Sequence, residues 1–124
     1  MAAGASAATV PRFLGCSAYY AKNPTGTVRP KMIVVACGDG NFWFAALHWQ
    51  TWTATAATAT GTAHLNDCAP NCAAGHFHTY PASVRLSAPK TCKGKHELTR
   101  ISWRFTATKP PAQPRTGTDT YRCA

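Results

Sequence analysis

Histidine is the residue type in this chain best suited to metal binding or proton transfer, and the chain has five. His76 and His78 are two residues apart, so on a β-strand their side chains point to the same face. A hairpin with the preceding strand would place His64 opposite them. Three neutral imidazoles could then bind zinc or copper, with Asp67 as a further ligand or hydrogen-bond partner. The alternative is a polar strand end whose imidazoles are simply exposed to solvent.

Basic side chains form the second candidate site, because 13 Lys and Arg against four Asp and Glu give a net charge of +9. Most of them lie at or after Arg85, and Arg100 and Arg104 share the outward face of one predicted strand. A surface of one charge sign attracts nucleic acid, wall polymers and acidic lipid headgroups. The alternative is charge that only keeps the protein soluble. The predicted anion-binding residues are Arg85, Lys93, Lys95, Arg100 and Arg104.

A small secreted ribonuclease or toxin-like phosphodiesterase is an alternative function. It would need two imidazoles, or an imidazole and a carboxylate, with a cation for the phosphate. The chain supplies these residue types as His76, His78, His96, Glu97, Lys93 and Lys95. Their spacing is not diagnostic, and the sequence contains neither a Gly-x-Ser-x-Gly motif nor an acidic calcium-binding loop. The sequence therefore favours binding over catalysis.

Six cysteines in a chain of 124 residues indicate three disulfide bonds made in an oxidising compartment. Structural zinc sites usually have two close cysteine pairs, whereas here only Cys68 and Cys72 are close. Spacing alone leaves several pairings open. The pairing we favour joins near neighbours in sequence: Cys16–Cys37, Cys68–Cys72 and Cys92–Cys123.

Strand patterns separated by Gly, Pro and Asn recur along the chain, and helical periodicity is hard to find. Lys31–Cys37 is rich in β-branched residues and predicts a buried strand. Gly38–Asn41 follows it and contains the Asp-Gly pair typical of tight hairpin turns. The partner strand is Phe42–Trp49. The side chains predicted to share one face of that strand are Trp43, Ala45, Leu47 and Trp49.

Three further strands are predicted downstream of this hairpin. The Thr-rich and Ala-rich segment 51–65 changes parity at Ala56–Ala57, which predicts a bulge or a break between two strands. His76–Leu86 predicts a strand interrupted at Pro81, because proline suits an edge strand or a bulge. Leu98–Thr108 has the clearest alternation. Its predicted inward residues are Ile101, Trp103 and Phe105, and its outward residues are Arg100, Ser102, Arg104 and Thr106.

Five to six short strands with polar loops predict an all-β fold. We expect a small disulfide-stapled antiparallel β-sandwich or barrel. Residues 1–26 are predicted to form an irregular N-terminal arm and residues 27–124 a single β domain, with an irregular segment at its C-terminal end. No stretch reaches the ~20 apolar residues that a transmembrane helix needs.

Three segments carry a family resemblance: Val34–Asn41 (VVACGDGN), Leu47–Trp52 (LHWQTW) and Asn66–Pro81 (NDCAPNCAAGHFHTYP). They resemble a group of small secreted actinobacterial proteins, which look like one family of disulfide-bonded β domains. The resemblance covers about residues 30–108. It implies secretion and a β fold, and it carries over no activity and no functional residues.

These observations predict a secreted, extracellular domain that binds a partner and does not catalyse a reaction. The partner would be a cell-envelope polyanion or another secreted protein, and nucleic acid is a further polyanion of the right charge. The alternatives left open are the ribonuclease-like enzyme and the histidine-based metal site. No cofactor is expected except zinc or copper in the last of these.

Overall fold

The structure, a computed structural model, describes residues 10–123. These residues form one six-stranded antiparallel sheet that is curled into a half-barrel, with the strands in chain order. A one-turn helix, α1 (Ser17–Tyr20), precedes the sheet. The strands are β1 (Ile33–Val34), β2 (Phe42–Trp52), β3 (Ala57–Asn66), β4 (Phe77–Cys92), β5 (Lys95–Phe105) and β6 (Thr116–Thr120). The all-β prediction is confirmed. Residues 1–9 of the predicted N-terminal arm lie outside the described residues, as does Ala124.

Three disulfide bonds staple the sheet. Cys16–Cys37 joins the start of α1 to the turn after β1, and Cys68–Cys72 closes a small loop between β3 and β4. Cys92–Cys123 ties the end of β4 to the chain beyond β6. These pairs are the ones predicted from proximity in sequence. Within residues 10–123, no helix has the length and apolar character needed to cross a bilayer.

The core fills the concave side of the sheet with large apolar side chains. Phe44, Leu86 and Ile101 are fully buried, and Phe105 is 1% exposed. Trp103 of β5 packs across the interior, where its ring centroid lies 5.1 Å from that of Phe42. β2 and β5 are not neighbours in the sheet, so this contact requires the sheet to be curled. Ile101, Trp103 and Phe105 face inward as predicted, and Arg100 and Arg104 are exposed.

The predicted face of β2 is wrong, because the strand is bulged. The pairing with β3 shifts register between Ala45 and His48, and Ala46 has a left-handed φ of 51°. A bulge inserts a residue and so exchanges the inward and outward positions that follow it. Phe44 is therefore buried before the bulge and Leu47 after it. Trp43 lies on the opposite face from Leu47.

The predicted strand at Lys31–Cys37 is shorter than expected. Only Ile33 and Val34 pair with β2. The backbone N–H groups of both Val35 and Ala36 donate to the carbonyl oxygen of Phe42, so the chain already turns there. The connection to β2 is wider than the predicted Asp-Gly turn, because the N–H of Gly40 donates to the carbonyl of Ala36, four residues earlier.

The predicted interruption of β4 at Pro81 is also wrong, because β4 runs unbroken between β3 and β5. Pro81 lies opposite Thr62 of β3. On its other side the carbonyl of Pro81 accepts a hydrogen bond from the N–H of Thr106, the residue after the end of β5. The N–H that proline lacks would point to this side, where the β5 ladder has just ended. Proline therefore costs the sheet little here.

The break predicted in the Thr-rich and Ala-rich segment is confirmed. β2 ends at Trp52 and β3 begins at Ala57. Along β3 the small apolar residues Ala57, Ala59 and Ala63 are buried. The alternating threonines face away from the core.

The segments that flank the main strands, as far as the structure describes them, are more ordered than predicted. The N–H of Arg12 donates to His96, and the N–H of Leu98 donates to Arg12, so the described part of the N-terminal arm lies against β5. Phe13 is 4% exposed and belongs to the core. The prediction of an irregular C-terminal segment is wrong for Thr116–Thr120, because these residues form β6. Their threonines favour the extended backbone and pair with β5.

Candidate anion-binding face

The convex side of the sheet carries rows of hydroxyl-bearing and basic side chains. We call the outward-pointing side chains of β2–β6 the outer face. Residues that pair across antiparallel strands point to the same side of the sheet, so the register places them in rows. One row crosses five strands and consists of Thr51, Thr58, Arg85, Ser102 and Thr118.

Two neighbouring rows have the same character. The first consists of His48, Thr60, Ser83, Arg104 and Thr116. The second consists of Ser87, Arg100 and Thr120, of which Ser87 is only 9% exposed. Successive residues on one face of a strand are about 6.6 Å apart, and adjacent strands are about 4.8 Å apart. The three rows therefore form a regular array of hydroxyls with three arginines set into it.

The three arginines form a triangle on the outer face. Arg85 pairs with Ser102, which lies midway between Arg100 and Arg104 on β5. Diagonal neighbours in an antiparallel pair are ~7–8 Å apart, so Arg85 is within side-chain reach of both other arginines. Arg85 and Arg104 also line a shallow depression of about 260 Å³. This is the place where one anionic group can contact two guanidinium groups.

Hydrogen bonds between neighbouring strands hold the surrounding hydroxyls in place. The Oγ1 atoms of Thr51 and Thr58 are 2.7 Å apart, and Gln50 Nε2 donates to Thr60 Oγ1 at 3.2 Å. Ser102 Oγ and Thr118 Oγ1 are 3.4 Å apart. Ordered side chains lose less conformational entropy when a ligand binds.

Each of the four carboxylates lies away from the outer face. Asp39 lies in the turn before β2, and Asp67 lies in the loop after β3. Glu97 is 4% exposed, and its burial raises the pKa of its carboxyl group, an effect that Lys95 partly offsets. Asp119 pairs with inward-facing Ile101 and so has the opposite orientation from the arginines. The outer face therefore carries only cationic and uncharged side chains.

The structure separates the two predicted lysines from the arginines. Lys93 and Gly94 form the two-residue turn between β4 and β5, and both have positive φ, at 52° and 78°. Such a pair of angles is typical of a type I′ hairpin turn. Lys95 starts β5, five residues and ~16 Å of strand before Arg100. Both lysines are exposed at the tip of the sheet, and they extend the positive charge at that end.

The three histidines predicted to bind a metal do not come together. His64 pairs with Thr79, whereas His78 pairs with Leu65, so the two imidazoles lie on opposite faces of the sheet. His78 Nε2 lies 2.8 Å from Asp67 Oδ2. His76 lies just before β4, where its backbone N–H, not its ring, contacts Asp67.

One group of three potential metal-ligating side chains occurs within residues 10–123: Cys92, Glu97 and Cys123. The two cysteines are joined to each other in a disulfide bond. Their sulfur atoms are therefore not thiolates, which are the form of cysteine that binds zinc.

The residue types considered for a ribonuclease fall into two groups: Lys93, Lys95, His96 and Glu97 lie near the β4–β5 turn, and His76 and His78 lie elsewhere. His96 and Glu97 are neighbours on β5, so their side chains leave opposite sides of the strand. His76 and His78 lie at the far end of β4 from Lys93. Lys93, Lys95 and Glu97 line one pocket and Lys95 and His96 line another, so neither pocket combines Glu97 with a histidine.

Sequence reasoning missed two parts of the outer face. It did not predict β6, whose three threonines complete the rows beside Arg100 and Arg104. It also placed Trp43 on the same face as Leu47 and Trp49, whereas Trp43 pairs with His64 on the outer face. The alternation of Thr at positions 116, 118 and 120 was the available signal for β6.

Comparison of the chain with known family models, curated proteins and solved structures finds no match. The resemblance to small secreted actinobacterial proteins therefore stays a prediction. The function has to be argued from the geometry of the outer face.

Proposed function

We propose that this protein is a secreted domain that binds an anionic polymer of a cell surface on its outer face. The observation that carries this proposal is the triangle of Arg85, Arg100 and Arg104 on a face without a carboxylate. The three disulfide bonds support the extracellular location, because disulfides persist in oxidising compartments.

The chemistry of arginine suits this ligand class. A guanidinium group presents several N–H donors in a planar fork that matches phosphate, sulfate and carboxylate groups. Arg85 and Arg104 flank the shallow depression, and the surrounding serine and threonine hydroxyls can donate to further oxygens. Because the depression is shallow and open along the rows, it suits a polymer that lies across the sheet.

Binding is proposed rather than catalysis because the face combines cations with hydroxyls. Acid–base catalysis needs a histidine or carboxylate within hydrogen-bond reach of the bound group. Among the described residues, the carboxylates lie off the face. The histidines His48 and His64 on the face are distant from the arginines: His48 is three strands from Arg104, ~14 Å, and His64 pairs with Thr79, ~20 Å of strand from Arg85.

The test compares two variants that lose the same charge. The face variant combines Arg85→Gln, Arg100→Gln and Arg104→Gln. The control combines Lys22→Gln, Arg29→Gln and Lys31→Gln, which are exposed residues preceding the main strands. Binding to immobilised dextran sulfate and to long-chain polyphosphate is measured over a range of salt concentrations.

We expect the face variant to bind at least tenfold more weakly at low salt and to show a flatter dependence on salt. Each lost cation–anion contact reduces the number of counterions released on binding. The control should stay within about threefold of the original protein, because it changes the net charge but not the face. Equal losses in the two variants would overturn the proposal, because they would show that only the net charge matters.

A further inference from the structure

The outer face also carries an aromatic cluster at the end opposite the arginines. We call Trp43, His64 and Phe77 the aromatic platform. The Trp43 and His64 rings stack with their centroids 3.8 Å apart and their planes 5° from parallel. The Phe77 ring centroid lies 6.4 Å from that of Trp43, and Phe77 is 48% exposed.

The strand register explains why these rings face outward. Trp43 lies between Phe42 and Phe44, which both pack in the core, so its side chain leaves the other side of β2. His64 pairs directly with Trp43, and Phe77 pairs with Asn66, two residues further along β3. The core already has its aromatic side chains, so the platform is not needed to fill it. Exposed apolar clusters of this kind often mark binding sites.

A continuous path joins the platform to the arginines along β4. Phe77 and Arg85 are eight residues apart, which is ~26 Å of strand. The residues between them on the outer face are Thr79, Pro81 and Ser83, with Thr62 and Thr60 beside them on β3. This path carries hydroxyls and small apolar groups but no charge.

From this arrangement we propose that the ligand is an acidic polysaccharide, with sugar rings packed against the aromatic platform and acid groups bound by the three arginines. The proposal rests on the proposed function and names its ligand class. The C–H face of a sugar ring is apolar and slightly positive, so it complements the negative face of an aromatic ring. Sugar hydroxyls can exchange hydrogen bonds with the serines and threonines along the path.

The same features argue against single-stranded nucleic acid. Proteins that bind it place aromatic rings for successive bases beside the cations that contact the phosphates. Here the rings form one cluster, and the nearest arginine along the sheet is Arg104, whose partner Ser83 is ~20 Å of strand from Phe77. The intervening hydroxyls match a polymer with neutral hydroxyl groups between its charges.

The experiment uses the full chain and three polymers. Polygalacturonate is the acidic polysaccharide, polyphosphate is the anion without sugar, and poly(U) is the nucleic acid. The platform variant combines Trp43→Thr and Phe77→Thr, because threonine suits an outward strand position. The control is Tyr20→Thr, which removes an aromatic ring that is 69% exposed on α1, an element that is not part of the outer face.

We expect the platform variant to bind polygalacturonate about tenfold more weakly, by analogy with the contribution of one stacked ring to binding a base. Its binding to polyphosphate should stay within about twofold, as should the binding of Tyr20→Thr to every polymer. The face variant should bind both polygalacturonate and polyphosphate more weakly, because each of them relies on the arginines. If Trp43→Thr disturbs the circular dichroism spectrum, Phe77→Thr is used alone. We then expect a smaller loss of affinity for polygalacturonate and unchanged affinity for the other two polymers.

The possible results separate the two proposals. If the face variant binds more weakly but the platform variant binds all three polymers normally, the polysaccharide inference is overturned and the proposed function stands. If the platform variant weakens poly(U) or polyphosphate as much as polygalacturonate, the ligand class is wrong. If the face variant binds every polymer normally, the proposed function itself fails.

Discussion

Asp67 and His78 are joined side chain to side chain, with His78 Nε2 2.8 Å from Asp67 Oδ2. This contact links the end of β3 to the start of β4 across the loop closed by Cys68–Cys72. The other carboxylate oxygen, Asp67 Oδ1, accepts hydrogen bonds from the backbone N–H groups of His76 at 3.0 Å and Ala69 at 3.1 Å. These bonds stabilise the ionised carboxylate and hold the pKa of Asp67 well below its ordinary value.

Asp67 should make this end of the sheet sensitive to acid. A carboxyl group with a lowered pKa in the folded state stabilises the fold above its unfolded pKa of about 3.9, and this stabilisation is lost progressively as the pH falls from there through the lower folded-state pKa. We therefore expect Asp67→Asn to have a lower Tm than the original protein at pH 6 and a clearly smaller difference in Tm near pH 2. Asp39→Asn removes the same charge from the β1–β2 turn and serves as the control in thermal unfolding. A pH-independent difference for Asp67→Asn would contradict the assignment.

Gly61 should be required by the bulge in β2. A Cβ atom at this position would lie 2.8 Å from the carbonyl oxygen of Ala45 and 2.9 Å from Leu47 Cδ2. Because the strand backbone and the core must shift to accept it, Gly61→Ala should lower the free energy of unfolding by about 1–3 kcal/mol. Urea denaturation measures this change.

Gly38→Ala is the matched control for Gly61→Ala. A Cβ atom at Gly38 would meet nothing within 4 Å. We expect its free energy of unfolding to change by no more than about 0.5 kcal/mol. If both substitutions are neutral, the close contact of β3 with the bulge is not present in solution.

Glu97 should oppose folding at neutral pH, in contrast to Asp67. Its burial raises the pKa in the folded state above the ordinary value of about 4.3. Such a group destabilises the fold once the pH rises through the folded-state pKa, and it has no effect below the unfolded-state pKa. Glu97→Gln should therefore raise Tm at pH 7 and leave it unchanged at pH 3. Asp119→Asn removes the same charge from an exposed position, and it should change Tm little at either pH. A lower Tm for Glu97→Gln at pH 7 would show that the ionised carboxylate makes stabilising contacts.

The strands that follow a strict alternation could be predicted from the sequence. Ile101 and Phe105 face inward and Arg100 and Arg104 face outward on β5, because nothing interrupts the two-residue period of that strand. The disulfide pairing could also be predicted, because this sheet places sequence neighbours beside each other.

The errors arose where a single residue changes the backbone. Ala46 adopts a left-handed φ, which the sequence does not signal because alanine rarely has this conformation. The resulting bulge puts Trp43 on the outer face, opposite Leu47. Pro81 was predicted to interrupt a strand because proline lacks the N–H for one hydrogen bond of the ladder. The sequence does not show which neighbouring strand that N–H would face. That neighbour is the end of β5, which only the register of three strands reveals.

The candidate site shows the same division. Arg100 and Arg104 belong to one strand, so their shared face followed from spacing alone. Arg85 joins them only through the pairing of β4 with β5, which is a contact between residues distant in sequence. Lys93 and Lys95 were grouped with the arginines by sequence proximity, but the tight turn places them at the tip.

The strands lie in the sheet in the same order as in the chain, and this order favours folding through local pairings. Each ladder joins strands that are consecutive in the chain, and the three disulfides span separations of 21, 4 and 31 residues. The entropy lost on closing such short loops is small, and topologies built from local pairings fold fast for a β protein. The sheet can therefore grow one hairpin at a time, and the β3–β4 hairpin brings Cys68 and Cys72 together as soon as it forms.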